Sequence, residues 1–414
     1  MAEIKPFKAI RPPRDKAHLV ASRSYISYSD QHLQDKLVGN PYTFIHVINP
    51  EYYLGMDTRI TGTKRFPLVK QVFNDFVTRD ILIKDEVPSF YLYRQSNDEF
   101  SFTGIIGGTS VQEYLDGKIK IHENTITQRE QLFKTYLETC GFNAEPVLLT
   151  HRKHEDIQLI FQKYLGQRPE YEFCTTDAVK HELWVINDAV DIQLIQKAYS
   201  SLPSLYIADG HHRSASSAIL GKDIRQKLGN PDEPLASDYY MACLIPENEL
   251  KIFSFHRGIK KVPFSEEVLV EELKKCGTLI PAPQLTEPKS RLEIGIQIGK
   301  KCYTLIVDEK LVDMHHPVKS LAPQILFDLV LEPILGIKDA KKDPNITYAG
   351  GPKALEDIVE EIKNKSIELA FALAPISVEE VMKVADNGEV MPPKSTWVEP
   401  KLRSGMLVYS ISKW

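Results

Sequence analysis

The sequence predicts an α+β protein of two or three packed domains. Three observations lead there. The chain has 414 residues, more than one hydrophobic core comfortably serves. Short apolar runs at Val147 to Thr150, Leu183 to Ile186 and Leu205 to Ala208 are each followed by turns or helical segments, the alternation of an α/β or α+β domain. Hydrophobic residues at 43% and charged ones at 26% are ordinary for a soluble fold and leave no room for a largely disordered chain.

Punctuation divides the chain softly at 1–100, 101–255 and 256–414. The first stretch begins with a Pro/Arg segment, in which Arg11 to Arg14 reads as a solvated arm. Tyr42 to Ile48 and the aromatic-rich Ser89 to Arg94 read as strands, and Leu68 to Phe76 has helical spacing. In the second stretch Gly104 to Gly108 is expected to break the chain, a loop follows, and Thr127 to Thr139 is helical with charged faces. Ser214 to Leu220 is expected to continue as a helix directly after the turn at Asp209-Gly210. In the third, Glu266 to Lys275 is helical and Leu292 to Val307 strand-like, with a proline-containing hairpin or domain edge between them. An apolar helix at Ile325 to Leu335, a strand at Glu368 to Leu373 and a helix at Val378 to Ala385 follow. Asn387-Gly388 stops that last helix ahead of a proline-rich tail.

Composition excludes several functions. A formal charge of −5 offers no basic footprint for a nucleic-acid backbone. Five separated cysteines, Cys140, Cys174, Cys243, Cys276 and Cys302, form neither a disulfide frame nor a thiolate zinc motif. Met1 to Pro13 is charged and proline-containing where a signal peptide needs an apolar run, and no window reaches the roughly 20 apolar residues of a membrane span. The expected location is cytoplasmic, without membrane or nucleic-acid partners.

Three segments could carry chemistry. Leu205 to Arg213 runs from a buried-strand pattern into Asp209-Gly210-His211-His212-Arg213 and a helix start. Helix-start N–H groups attract anions, an Arg guanidinium can grip phosphate oxygens, and Gly210 permits close backbone approach. The plainer alternative is a capped turn, with Asp209 satisfying helix amides and both histidines exposed. Lys120-Ile121-His122-Glu123 follows the Asp116-Gly117 turn. Its Glu123 can take a proton from a substrate hydroxyl, tuned by Lys120 or His122, or can simply favour a helix start. Pro392-Pro393-Lys394-Ser395-Thr396 sets Lys394 and two hydroxyls on a rigid loop able to hold a carboxylate or phosphate, or forms a closing segment anchored by Trp397. His315-His316 and Phe255-His256-Arg257 read as structural strand ends. No Walker A loop is present.

Taken together these residues resemble a family. Ile207 to Arg213, Leu331 to Gly336 and Met391 to Gly405 are typical of a large prokaryotic family long described only as a domain of unknown function. Three motifs also resemble, in the same order, those of the ADP-dependent free L-serine kinase of archaea, whose fold is similar to the ParB and sulfiredoxin nucleotide-binding domain. Lys120-Ile121-His122-Glu123 is similar to the kinase's Lys-Pro-His-Glu, Asp209 to Arg213 matches its Asp-Gly-His-His-Arg, and Glu380 to Thr396 resembles a segment ending in Pro-Lys-Thr-Thr.

The resemblance implies a ParB/sulfiredoxin-like nucleotide-binding core at 101–255 with additional N-terminal and C-terminal α/β domains. It implies phosphotransfer from ADP or ATP to a small hydroxyl, free L-serine first, giving O-phosphoserine. Glu123 would be the base with His122 and Lys120 beside it, while Asp209, Gly210, His211, His212 and Arg213 would hold phosphates. Mg²⁺ would be recruited by Asp209 or by the phosphates. Lys394, Ser395 and Thr396 would hold the acceptor's carboxylate. Two rival readings are a regulatory switch that binds CTP or another nucleotide, and a phosphate-ester hydrolase. The chain is much longer than the kinase and has Ile121 where the kinase has proline.

Overall fold

The computed structural model describes residues 2–23, 30–56, 58 and 60–411. Two compact units emerge, Met1–Leu250 with Pro400–Trp414, and Lys251–Glu399. Both mix helices with sheets.

The first unit is built on a nine-stranded sheet. Its strands are β1 (Ile4–Lys5), β2 (Phe90–Ser96), β3 (Ser101–Ser110), β4 (Ile119–Lys120), β5 (Val147–His151), β6 (Tyr171–Cys174), β7 (Lys180–Ile186), β8 (Leu205–Asp209) and β9 (Tyr239–Pro246). The spatial order is β4-β8-β5-β9-β3-β2-β7-β6, with β1 added to β3. The pairs β4/β8 and β5/β9 are parallel and the remainder antiparallel. The helices are α1 (Phe66–Thr78), α2 (Thr127–Cys140), α3 (Glu155–Leu165), α4 (Ala189–Ser200) and α5 (His211–Lys227).

Strand alternation explains the main core. Leu205 and Ile207 of β8, Val147 and Leu149 of β5, and Ala242 and Leu244 of β9 share one face. They pack with Ile157, Ile160 and Phe161 of α3 and with Ile195 and Tyr199 of α4. Fully burying each large side chain is worth about 1.5–3 kcal/mol, so this layer holds the strand ends in place. A second cluster joins Val69, Val72, Phe73 and Phe76 of α1 to Phe44, Val47, Phe142 and Val408.

The second unit carries an antiparallel sheet of β10 (Phe255–Ile259), β11 (Gly277–Ala282), β12 (Glu293–Ile298), β13 (Lys301–Val307), β14 (Ile346–Gly350) and β15 (Leu369–Leu373), in the order β11-β13-β12-β15-β10-β14. The helices α6 (Glu266–Lys274), α7 (Ala354–Lys363) and α8 (Val378–Asp386) accompany it. Ser377 caps α8 in a reciprocal box with Glu380, and Gly388 leaves the helix at φ 67°.

Several expectations are corrected. Tyr42 to Ile48 is not a strand; Ile45–Ile48 is a helical turn. Phe44, Ile45, His46 and Val47 are all buried, so a run of consecutive buried residues imitated a strand without the two-residue period. Gly104 to Gly108 is not a break but the middle of β3. A Cβ on Gly104 would lie 2.6 Å from Ile245 Cγ1, and one on Gly107 would lie 2.8 Å from the Phe90 ring. These glycines admit close neighbours rather than a turn. Arg11 is no solvated arm residue. It is buried, with Nε 2.8 Å from Asp85 Oδ1 and Nη1 bonded to Glu170 and to the Tyr171 hydroxyl. The apolar helix at Ile325 to Leu335 begins earlier, as Ala322–Leu326, and widens into a π-turn at Phe327–Leu331.

Candidate functional site

The parallel neighbours β4 and β8 end side by side, with Leu205 opposite Ile119 and Tyr206 opposite Lys120. In open sheets the carboxyl ends of parallel strands are where loops meet a ligand. The chain leaves β4 into the loop carrying His122 and Glu123, and leaves β8 into Gly210 and α5. A register shift between Ile207 and Asp209, against β5, makes a bulge that re-aims the Asp209 side chain.

Gly210 is the N-cap of α5 at φ 101°, in the left-handed region where a side chain is strained. A Cβ there would also lie 3.0 Å from the Arg213 guanidinium, which folds across the glycine. Lacking a side chain, Gly210 gives no capping bond to the first turn of α5. The first helical bond already runs from Ser214 N–H to the Gly210 carbonyl. The opening turn thus presents donors at the positive end of a 17-residue helix. Asp209 does not cap them, contrary to the plainer sequence reading.

Asp209 instead faces two cations. Arg213 Nη2 lies 3.2 Å from its Oδ2 and Lys401 Nζ 3.7 Å from its Oδ1. Arg213 is held further by Glu145, 2.8 Å from Nη1, and by the Pro146 carbonyl at 2.9 Å. Two carboxylates and a carbonyl therefore share the guanidinium that sequence reasoning gave to phosphate. Glu145 and Lys401 were not anticipated as site residues. They lie 64 residues before and 192 after Asp209, beyond the reach of any local spacing signal.

An Asp209 paired with two cations does not by itself make a protein site for Mg²⁺, which is usually held by carboxylates together with substrate phosphates. Among the described residues no group of three or more His, Cys, Asp or Glu could hold a metal ion. A resident protein-bound Mg²⁺ is not what these residues fit.

The imidazoles of His122 and His211 are buried and meet edge to face, with centroids 4.5 Å apart. The His122 backbone N–H donates to His211 Nε2 at 3.4 Å, and His211 Nδ1 lies 3.8 Å from Glu123 Oε2. Burial pushes the His122 imidazole down to about 4 against the opposing pull of Asp209. Burial, then the neighbouring His122 and His212, holds His211 well below the ordinary histidine range. Both rings are neutral near pH 7. Glu123 stays exposed, where an incoming hydroxyl can reach it.

The Lys120 ammonium lies 5.8 Å over the Tyr206 ring. The geometry brings Lys120, His122, Glu123, Asp209, Gly210, His211 and Arg213 into one neighbourhood of the first unit. His212 follows on the first turn of α5.

Lys394, Ser395 and Thr396 belong to the second unit. There Ser395 Oγ donates to the Pro392 carbonyl at 2.7 Å, and Lys394 sits at φ 56° with its ammonium over the Phe255 ring.

The family described as protein of unknown function (DUF1015) matches residues 4–324, and the chain belongs to that family. No curated protein matches it. Among solved structures it is similar to a free serine kinase in complex with AMP, at 17% identity over 73% of this chain and 91% of that one, TM-score 0.35. It is similar also to a conserved hypothetical protein from Pyrococcus furiosus, at 18% identity over 72% and 91%, TM-score 0.33. SbnI with a C-terminal truncation from Staphylococcus aureus aligns at 15% identity over 73% and 85%, TM-score 0.37. Likeness at this level decides neither reaction nor substrate. Among the described residues no helix is long and apolar enough to cross a membrane.

Proposed function

We propose that the protein is a nucleotide-dependent phosphotransferase acting on a small hydroxyl compound, with free L-serine as the first acceptor to try. One observation carries the reading. The loop bearing the exposed Glu123 and the uncapped start of α5 come together at the ends of adjacent parallel strands, with Glu123 and His211 in contact.

In this reading the terminal phosphates of ADP or ATP lie against the N–H groups of the first turn of α5, where the helix end is positive and the Arg213 guanidinium lies across Gly210. Phosphoryl transfer rests chiefly on positioning and charge stabilisation, which backbone donors supply without reorganising. Glu123 accepts the proton from the acceptor hydroxyl as its oxygen forms a bond to the terminal phosphorus. The bond from that phosphorus to the bridging oxygen breaks, and the nucleotide leaves one phosphate shorter. Mg²⁺, where used, arrives with the phosphates. A ParB/sulfiredoxin-like core and cytoplasmic action belong to the same proposal.

Phosphorus NMR tests it. Purified protein is incubated with Mg²⁺, ADP or ATP, and a panel of free amino acids and hydroxy acids. A new phosphomonoester resonance with loss of one nucleotide phosphate is expected. Nucleotide binding with no phosphorylated acceptor would favour a regulatory switch, and inorganic phosphate as sole product a hydrolase; either overturns the proposal.

A further inference from the structure

We propose that the His211 ring is a positioning residue for Glu123: a neutral imidazole, protonated on Nδ1, that holds the carboxylate in its ionised, outward-facing form. The inference rests on the phosphotransferase reading for its catalytic meaning, but its geometry stands apart from it.

The tautomer follows from the backbone. His211 Nε2 faces the N–H of His122 at 3.4 Å, and an N–H can only donate, so Nε2 must carry its lone pair. The ring proton then sits on Nδ1, the atom 3.8 Å from Glu123 Oε2. The loop after β4 supplies both the N–H that fixes the ring and the carboxylate that the ring faces, so it meets His211 of α5 at two successive residues. The separation at Nδ1 is longer than a full hydrogen bond, and catalytic contacts of this kind commonly shorten once substrate is bound. The ring is buried, packed edge-on against His122, with Gly210 before it and His212 after it on the helix. An imidazole so enclosed is shaped to stay neutral and to donate in one direction. As the first residue of α5, His211 has a backbone N–H with no intrahelical acceptor, so in this proposal ring and backbone serve different partners.

A donor to the charged form lowers a carboxylate's pKa. Removing the ring therefore raises the pKa of the base and moves the acid limb of kcat/KM to higher pH. The other titratable groups facing His211 are His122 on the loop and His212 on its own helix, with Asp209 acting on His122 from the end of β8.

Two measurements on the full chain test this. Nitrogen-15 NMR of labelled histidine between pH 5.5 and 8, with the His211 signal assigned by its loss in His211→Asn, reads the tautomer without any need for activity. An Nδ1–H ring that does not titrate in that range is expected. An Nε2–H ring, or titration near pH 6.5, overturns the inference. Kinetics then compare His211→Ala with His211→Asn, whose amide nitrogen replaces the Nδ1 donor. The expectation is a fall in kcat of about tenfold or more for alanine, on the scale of one hydrogen bond to a charged group, with KM for nucleotide unchanged and much of the loss recovered by asparagine. A raised nucleotide KM with unaltered kcat would make His211 a phosphate ligand and refute the positioning role. The expected tautomer in a wild-type protein that transfers no phosphoryl group would uphold the His211 to Glu123 geometry and refute the phosphotransferase reading.

Discussion

His122 and His211, 89 residues apart in sequence, share a buried edge-to-face contact beside the exposed carboxylate of Glu123. Both are uncharged in the folded state, and that has a consequence for acid stability.

The buried histidines His122, His151 and His256 are each depressed by burial to about 4, and His181 to about 3. In the unfolded chain a histidine titrates near 6.5. Between about pH 6.5 and 4 the unfolded state therefore binds more protons than the folded one, and stability falls as pH falls. Each residue contributes on the order of 1–3 kcal/mol across that window. Urea denaturation at pH 7.5, 6, 5 and 4.5 should give progressively lower midpoints. Midpoints independent of pH over this range would contradict the neutral, buried state of these rings.

The fold was largely legible where periodicity and burial agree. Leu205 to Asp209 forms the expected strand as a short apolar run, buried on both faces, that ends at Gly210; Thr127–Cys140 forms the expected helix and stops at the left-handed Gly141; Val378–Asp386 has one buried apolar face, a capping box and a glycine stop. Tyr42 to Ile48 and Gly104 to Gly108 misled for opposite reasons. The first is buried all round, which erases periodicity; the second uses glycine for contact with Ile245 and Phe90 rather than for a turn. At the site, residue types in a strand-to-helix turn draw attention to Asp209 through Arg213, while Glu123 is a weak local signal that gains weight from the ordered motifs of the family resemblance. The ion pairs from Glu145 and Lys401 depend on how distant strands and the C-terminal segment are laid together, which no local pattern encodes.

Gly221 gives a test of helix packing. In an exposed helix, replacing glycine by alanine stabilises by about 1 kcal/mol. A Cβ at Gly221 would lie 2.4 Å from the Ser237 carbonyl oxygen, an overlap that backbone cannot easily relieve. Gly221→Ala is expected to destabilise by about 1–3 kcal/mol, the usual range for overpacking. A raised thermal midpoint would mean that α5 does not approach Ser237 so closely.

The Asp209 to Arg213 pair should contribute little to folding. Asp209 is 42% exposed and Arg213 19%, and Arg213 retains Glu145 when Asp209 is lost. A double-mutant cycle of Asp209→Asn and Arg213→Met, followed by urea denaturation, should give a coupling of about 0.2–1 kcal/mol. Coupling well above that would show a structural lock, leaving Arg213 no freedom to turn towards a phosphate.

The most direct test of the proposed chemistry is single-turnover phosphotransfer by wild-type protein and Glu123→Gln, with nucleotide affinity measured alongside by calorimetry. Loss of a general base usually lowers the rate by about 10²- to 10⁴-fold. The expected result is a loss of that order with nucleotide affinity unchanged, since Glu123 is placed to serve the acceptor hydroxyl. Full transfer activity in Glu123→Gln would contradict the assignment of Glu123 as base.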